Sequence, residues 1–371
     1  MNIRSSVHGC ALIGLAAFLA GCSEHPAAPA YPQEISYRQD GEIVVYTPAG
    51  ISVHDAQLRG TAGSISLDRE VGGVLKDEPF TFSLADDGQV AAVGFSNTVD
   101  RDVVIYDLAT GRERSVLDLD LPSGFPVQQV TLDPTGARVF VRADNWGMFD
   151  TETGERLWGA SSSDECCGLT APIFSRDGQV LFGFQDTRLE ARGALTGELL
   201  FSVEAGAPRG GGGGGLAHSG LEGVLVGTRS DPTSLERDGG PGQEYVFWSE
   251  RDGSVVKTVP QFPDRSFAYT FVGNNIVACS PSGDVCASSV TLRQELRQLP
   301  GDSVPSLAQP VYSVLVWKSD GTLLEELPTY ASALSFSPDG SHLAVAGSEA
   351  ELYRVEDGAL ERSLQYTYDS Y

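Results

Sequence analysis

A short motif with a glycine turn recurs along this chain, and it limits the possible folds more than any other feature. The clearest copies are residues 336–345, 82–90 and 174–180, and a looser copy is 131–136. In each copy a turn separates two apolar stretches, and its glycine tolerates left-handed backbone. Each copy therefore predicts two antiparallel strands joined by a tight turn.

A second glycine turn follows each copy about twenty residues later, as at Gly111, Gly154, Gly197 and Gly358. Two hairpins per unit, repeated every ~40–50 residues, predict an all-β fold of the β-propeller class. We count seven blades, with six or eight as alternatives. The predicted blades are residues 33–68, 80–119, 127–160, 169–204, 215–260, 267–327 and 332–364.

The distance between the two turn glycines differs among the blades. It is short in most blades, but it grows in blade five and again in blade six, where Gly273 and Gly321 are taken as the turn glycines. The extra residues, 230–242 and about 280–310, then lie between the second and third strands. In a propeller these connections share a face with the links between blades, two of which, 161–168 and 205–215, are also unusual.

The unusual connections therefore predict one loop-rich face over blades three to six, and loops on a rigid fold often carry function. The residues that we select there as candidates for binding are Asp164, Glu165, His218, Asp231, Glu236 and Asp238.

The first 32 residues predict export and anchoring. Arg4 precedes a short apolar run, residues 11–20, that is too short to span a bilayer. The run ends in Leu19-Ala20-Gly21-Cys22, which resembles the bacterial lipoprotein lipobox; this resemblance implies cleavage before Cys22 and lipidation of its thiol. We assign residues 1–21 to a signal peptide, 22–32 to a Pro/Ala-rich tether and 33–371 to the propeller. Ser23 resembles the signal for the outer membrane of Gram-negative bacteria.

The chain is strongly acidic, with a formal net charge of −25. Such a surface repels phosphate backbones, so we predict no binding to nucleic acid. It also repels anionic membranes, so we expect membrane contact through the lipid anchor only.

Four cysteines remain after Cys10 is removed with the signal and Cys22 is lipidated. In an oxidising compartment an even number predicts disulfides. Cys279 and Cys286 flank a turn-forming segment, so we favour a local bridge there, which leaves Cys166 and Cys167 as an adjacent pair; pairing between the two sets is the alternative.

The repeats also resemble known families. Phe336-Ser337-Pro338-Asp339-Gly340 resembles the WD40-like repeat of bacterial propellers, and residues 150–158 resemble the quinoprotein repeat in one blade only. The quinoprotein resemblance implies a quinone enzyme in which Cys166 and Cys167 form a vicinal disulfide.

The sequence singles out no catalytic residue, metal ligand or cofactor. The function we predict is a non-catalytic interaction platform for an envelope protein or peptide. The alternative is an enzyme, quinone-dependent or a metal-assisted hydrolase, that uses the central channel.

Overall fold

The computed structural model describes most of the chain from residue 32 to residue 365. The described residues are 32–67, 70–71, 74–75, 78–96, 102–119, 127–143, 146–160, 169–206, 215–230, 243–260, 276–292 and 311–365. They form β-strands and turns, and no helix that could cross a membrane is found among them.

Seven antiparallel sheets of four consecutive strands make up the structure. Blade one contains β1 (Glu34–Tyr37), β2 (Ile43–Thr47), β3 (Gly50–His54) and β4 (Thr61–Ser66). A small hairpin follows, β5 (Glu70–Val71) and β6 (Val74–Leu75). Blade two contains β7 (Glu78–Leu84), β8 (Val90–Ser96), β9 (Asp102–Asp107) and β10 (Arg112–Asp118). Blade three contains β11 (Gln129–Leu132), β12 (Arg138–Arg142), β13 (Trp146–Asp150) and β14 (Arg156–Ala160).

The other four blades repeat this order. Blade four contains β15 (Thr170–Phe174), β16 (Val180–Gln185), β17 (Arg188–Gly193) and β18 (Leu199–Glu204). Blade five contains β19 (Leu216–His218), β20 (Val224–Ser230), β21 (Gln243–Ser249) and β22 (Val255–Pro260). Blade six contains β23 (Val277–Cys279), β24 (Val285–Leu292), β25 (Val311–Lys318) and β26 (Leu323–Leu327). Blade seven contains β27 (Ala333–Phe336), β28 (His342–Ala346), β29 (Ala350–Arg354) and β30 (Leu360–Leu364).

The first strands of neighbouring blades contact one another, so strand A of each blade lies innermost and strands B, C and D follow outward. A hydrophobic cluster fills the space between each pair of neighbouring blades. All five residues of β2 are buried, because one side of the strand packs on blade two and the other on blade seven. The predicted seven-bladed β-propeller is confirmed.

The ring closes between blades one and seven without exchanging a strand, since each blade uses four consecutive strands. The backbone N–H of Tyr37 donates to Ser335 Oγ at 3.0 Å, and Ser332 Oγ donates to the carbonyl of Pro32 at 3.0 Å. Between blades two and three, Ser83 Oγ accepts the N–H of Leu132 in the same way. Serine hydroxyls thus pair with backbone N–H and C=O groups at the edges of the innermost strands and just before β1, which would otherwise lack partners.

In the repeated motif, side chains form hydrogen bonds with the backbone of the turn. In blade four, Ser175 Oγ donates to Asp177 Oδ1 at 2.6 Å and accepts the N–H of Val180 at 2.9 Å. Gly178 closes the turn at φ 69°, which a residue with a Cβ rarely adopts. Blade seven repeats these bonds with Ser337 and Asp339. The motif is therefore a hairpin signal.

The structure corrects the prediction for blade six. Its A–B turn is residues 280–284, with Gly283 at φ 74°, and Gly273 lies outside the described residues. The additional residues are therefore divided between the link 261–276 and the B–C connection 293–310. Both connections leave the same end of the blade, so the correction does not move them to the other face.

Candidate binding face

The two faces of the ring differ in their connections. The turn face carries the A–B and C–D connections, and every A–B connection has five residues. The loop-rich face carries the B–C connections and the links between blades, and its B–C connections range from two residues in blade one to 18 in blade six. The excess length in blades five and six therefore emerges on one side of the ring.

Both ends of the described chain also lie at the loop-rich face. Pro32 precedes β1, whose first residue starts at that face, and Gln365 follows β30, whose last residue ends there. The segment that contains Cys22 therefore joins the ring on the same side as the long connections.

Two exposed tyrosines mark the described part of this face between blades six and seven. Tyr312 lies at the beginning of β25, and Tyr330 lies in the link from β26 to β27. Their ring centroids are 5.0 Å apart, and the ring planes meet at 81°, an edge-to-face pair. The side chains remain 39% and 47% exposed, so the pair is a surface feature with aromatic area open to solvent.

Two glutamates of blade seven lie in or directly after its B–C turn, residues 347–349, and this turn packs against the backbone of Tyr330. Glu351 Oε2 accepts hydrogen bonds from Thr329 Oγ1 at 2.6 Å and from the hydroxyl of Tyr353 at 3.0 Å. Glu349, in the B–C turn, is half-buried and its Oε1 accepts from Gln365 Nε2. Among the described residues no hydrogen bond reaches Glu351 Oε1. We call Tyr312, Tyr330, Glu349 and Glu351 the tyrosine rim.

Backbone packing holds Tyr330 in place. A Cβ built on Gly347 would come within 2.1 Å of the carbonyl oxygen of Tyr330, so only glycine allows this approach. The neighbouring Thr329 is tied to Glu351. The link between blades six and seven is therefore fixed against the B–C turn of blade seven, and the exposed ring is presented from a rigid support.

Most of the loop residues selected from the sequence lie outside the described residues. These are Asp164, Glu165, Asp231, Glu236 and Asp238, and the same holds for Cys22, Cys166 and Cys167.

His218 is described, and it lies at the opposite end of its strand from the predicted position. It is the last residue of the three-residue strand β19, next to the A–B turn, so the chain has already crossed to the turn face. Its Nε2 donates to the carbonyl of Phe174 at 2.9 Å, and its Nδ1 lies 3.1 Å from Glu250 Oε1. His218 thus links blades four and five on the turn face.

The structure contains a disulfide between Cys279 and Cys286. The two residues are directly opposite each other on β23 and β24, on either side of the A–B turn of blade six. The bridge therefore joins the innermost hairpin of that blade.

Two carboxyl groups near the axis have perturbed acidity. Glu34, the first residue of β1, lies at the loop-rich end opposite Tyr46, and burial raises its pKa to about 8. The hydroxyl of Tyr46 is buried and makes no hydrogen bond to any described residue. On the turn face, burial raises the pKa of Asp86, while the charges of His218 and Arg176 act in the opposite direction. Perturbed carboxyls of this kind occur both at functional sites and in structural networks.

In the part of the chain that the structure describes, no three His, Cys, Asp or Glu side chains lie close enough together to hold a metal ion. Those residues thus offer no ligand set by which to name a metal.

Comparison with known proteins shows the fold. A chain of the hydrazine synthase of Kuenenia stuttgartiensis is similar over 91% of this chain and 99% of its own length, with a TM-score of 0.59 and 15% identity. The β-propeller domain of Cps50 (Swd1) from Myceliophteria thermophila is similar over 91% of this chain and 96% of its own, with a TM-score of 0.60 and 14% identity. The fold is a WD40-like β-propeller.

At these identities the likeness carries no activity from either protein. No protein-family model matches the sequence, and a search of curated proteins finds no match.

Proposed function

We propose that this protein is a lipid-anchored, non-catalytic β-propeller that serves as an interaction platform in the cell envelope, through its loop-rich face. The observation that carries the proposal is the asymmetry of the ring. The long connections start and end on one face, which also carries the exposed tyrosine pair, while the strands on the other face are joined by short turns. Exposed aromatic side chains are enriched at protein interfaces, where they supply contact area at a small entropic cost.

The predicted lipid anchor also favours the loop-rich face as the binding surface. The predicted tether, residues 22–32, spans at most about 40 Å when fully extended, and it joins the ring at the loop-rich end of β1. Lipidation of Cys22 would therefore hold this face toward the membrane and within reach of proteins at its surface. The acidic surface, with a net charge of −25, opposes direct contact with anionic lipid.

Photo-crosslinking in cells tests the platform. A photoreactive amino acid replaces Tyr330 in one strain and Leu195, which is 57% exposed on the turn face, in another. We expect a discrete adduct of one partner from position 330 and none from position 195. Equal adducts from both positions, or none from position 330, would contradict the proposal.

A separate experiment tests the anchor. We expect incorporation of labelled palmitate and recovery in the membrane fraction, and we expect Cys22→Ala to abolish both. Unchanged membrane recovery of the Cys22→Ala variant without label would show that something other than a lipid on Cys22 holds the protein there.

One observation favours an enzyme as the second candidate. Glu34 combines a raised pKa with a position at the loop-rich end of an innermost strand, opposite Tyr46, whose hydroxyl bonds to no residue that the structure describes. A carboxyl that keeps its proton near neutral pH can act as a general acid. If the purified protein shows a hydrolytic activity that Glu34→Gln removes, the enzyme is the better description.

A further inference from the structure

We infer that the tyrosine rim binds an arginine side chain of a partner polypeptide, and this inference rests on the proposed function of the loop-rich face. The rim combines two exposed aromatic rings with two carboxylates. These are the two kinds of group that recognise a guanidinium, which stacks on aromatic faces and donates in a planar fork to carboxylate oxygens.

The geometry places both kinds of group at the junction between blades six and seven. Tyr312 and Val314 alternate with Ser313 along β25, and Val314 belongs to the cluster shared with blade seven, so Tyr312 also faces that blade. On blade seven, Glu351 lies on the same side of β29 as Tyr353, which belongs to the same cluster. Thr329 connects the two blades, because it precedes Tyr330 and donates to Glu351.

Glu351 is held in position by its neighbours but retains hydrogen-bonding capacity. Its Oε2 accepts from two hydroxyls, neither of which neutralises the charge. A carboxylate has about four lone-pair sites, so Oε1 is still able to accept from a donor that docks at this junction. A fixed carboxylate loses less side-chain entropy on binding than a mobile surface glutamate does.

The negative charge of the protein indicates that the ligand is positively charged. No Lys or Arg forms a hydrogen bond or an ion pair with Tyr312, Tyr330, Glu349 or Glu351 within the described ranges. The chain as a whole carries −25, which attracts basic segments and speeds their encounter. An arginine satisfies the rings and the carboxylates together, whereas a lysine supplies the charge without the planar fork.

Peptide binding to the full-length protein, purified in detergent, tests the inference. The probe is a fluorescein-labelled peptide with four arginines spaced by Gly-Ser, and its matched peptides replace each arginine with lysine or with uncharged citrulline. Fluorescence anisotropy then gives the dissociation constants at several salt concentrations. We expect the arginine peptide to bind most tightly, the lysine peptide about fivefold more weakly and the citrulline peptide more weakly still.

Variants of the protein locate the binding site. We expect Tyr330→Ser and Glu351→Gln each to weaken binding of the arginine peptide about fivefold, equivalent to about 1 kcal/mol. Tyr330→Phe keeps the ring and should retain affinity. Glu356→Gln, an exposed carboxylate in the C–D turn of blade seven, is the matched control and should not change it. Thermal melting of each variant verifies that it is folded.

Three results would overturn the inference. These are equal binding of the arginine and citrulline peptides, an equal loss with Glu356→Gln and Glu351→Gln, and full affinity of Tyr330→Ser. The second result would mean that the peptide responds only to the overall negative charge. If position 330 crosslinks to a partner in cells while the arginine peptide does not bind, the platform stands and the arginine assignment fails. If neither occurs, the platform itself is wrong at this rim.

Discussion

The turn face and the loop-rich face are made by the same 28 blade strands, yet the lengths of their connections are restricted to different degrees. On the turn face the A–B connections are five residues long in all seven blades, and their glycines and side chains are bound to neighbouring backbone. On the loop-rich face the B–C connections vary from two to 18 residues. We therefore expect substitutions on the turn face to alter stability, and substitutions on the tyrosine rim to alter binding with little effect on stability.

The largest expected effect is at Gly220, in the A–B turn of blade five. A Cβ there would lie 2.3 Å from the nitrogen of Gly283 and from the oxygen of Ser280, which are both backbone atoms, and φ is 79°. We expect Gly220→Ala to lower the free energy of unfolding by about 3 kcal/mol or more, from steric overlap added to left-handed backbone strain. Urea denaturation measures the change.

The control for this substitution is Gly223→Ala in the same turn. Gly223 has φ 66° but no atom within 4 Å of the added Cβ, so only the backbone strain remains. We expect it to cost about 1 kcal/mol. Equal losses for the two variants would show that contact between neighbouring turns does not constrain this face.

The disulfide of the innermost hairpin in blade six should have the next largest effect. Its loop has a sequence separation of seven residues, and closing so short a loop stabilises the folded state by about 2 kcal/mol in the chain-entropy description. We expect Cys279→Ala to lower the midpoint of urea unfolding and to abolish its dependence on reductant. A midpoint that the wild type retains in dithiothreitol would argue against a stabilising bridge.

Glu34 gives the one titration prediction for the loop-rich end. Its pKa is about 8 in the folded protein, against 4.5 ordinarily. Between pH 4.5 and 8, therefore, the carboxyl is protonated in the folded state and ionised in the unfolded chain. Stability should therefore fall as pH rises from about 4.5 to 8. We expect Glu34→Gln to remove that slope and to be more stable than wild type at pH 8 by about 1–2 kcal/mol, measured by urea unfolding across pH. A constant difference between pH 5 and 8 would contradict burial of the carboxyl.

Asp339 gives the opposite slope on the turn face. Hydrogen bonds from Ser337 and Ser341 lower the pKa of its carboxyl to about 2. The contribution of this carboxylate to the free energy of unfolding should be fully present above pH 3.8, the ordinary pKa of an aspartate, and be lost as pH falls through about 2. We expect Asp339→Asn to cost about 1 kcal/mol at pH 7 and to become neutral near pH 2, as measured by thermal melting. An equal loss of stability at pH 7 and pH 2 would mean that the effect comes from the altered hydrogen-bonding geometry of the side chain and not from its charge.

The smallest change in stability is expected at the tyrosine rim. Tyr330 is 47% exposed and its hydroxyl has no described partner, so Tyr330→Ser should alter the free energy of unfolding by less than about 0.5 kcal/mol. Its effect should appear in peptide binding alone. A loss of stability as large as that of Gly223→Ala would mean that the pair serves the fold, and the contrast between the two faces would weaken.

Much of the fold was predictable, because its determinants are local. The Ser-x-Asp-Gly turn forms its hydrogen bonds within six residues, as at 175–180, so it marks a hairpin wherever it occurs. The signal was also present in blade six, where Ser280-Pro281-Ser282-Gly283 has the same form as Ser337-Pro338-Asp339-Gly340. The prediction of a turn at Gly273 rests on a glycine alone, whereas the observed turn at Gly283 also has the serine side chains that bond to its backbone.

The candidate site was much less predictable, because its members are distant in sequence. Tyr312 and Tyr330 belong to a strand and a link that are close together only once blade six has folded and blade seven has packed against it. Nothing in the sequence around either tyrosine indicates exposure. The predicted face of His218 is wrong for a related reason. The three-residue strand β19 is enough to carry the chain from the loop-rich face to the turn face.

The sequence by itself determined the class of the fold, the number of blades and the side on which the long connections emerge, because hairpin turns and strand alternation are properties of neighbouring residues. Only the tertiary structure decided which side chains meet at the junction between blades six and seven and which remain in solvent. Those properties depend on packing between blades, where residues far apart in the chain close the ring and leave the tyrosine rim uncovered.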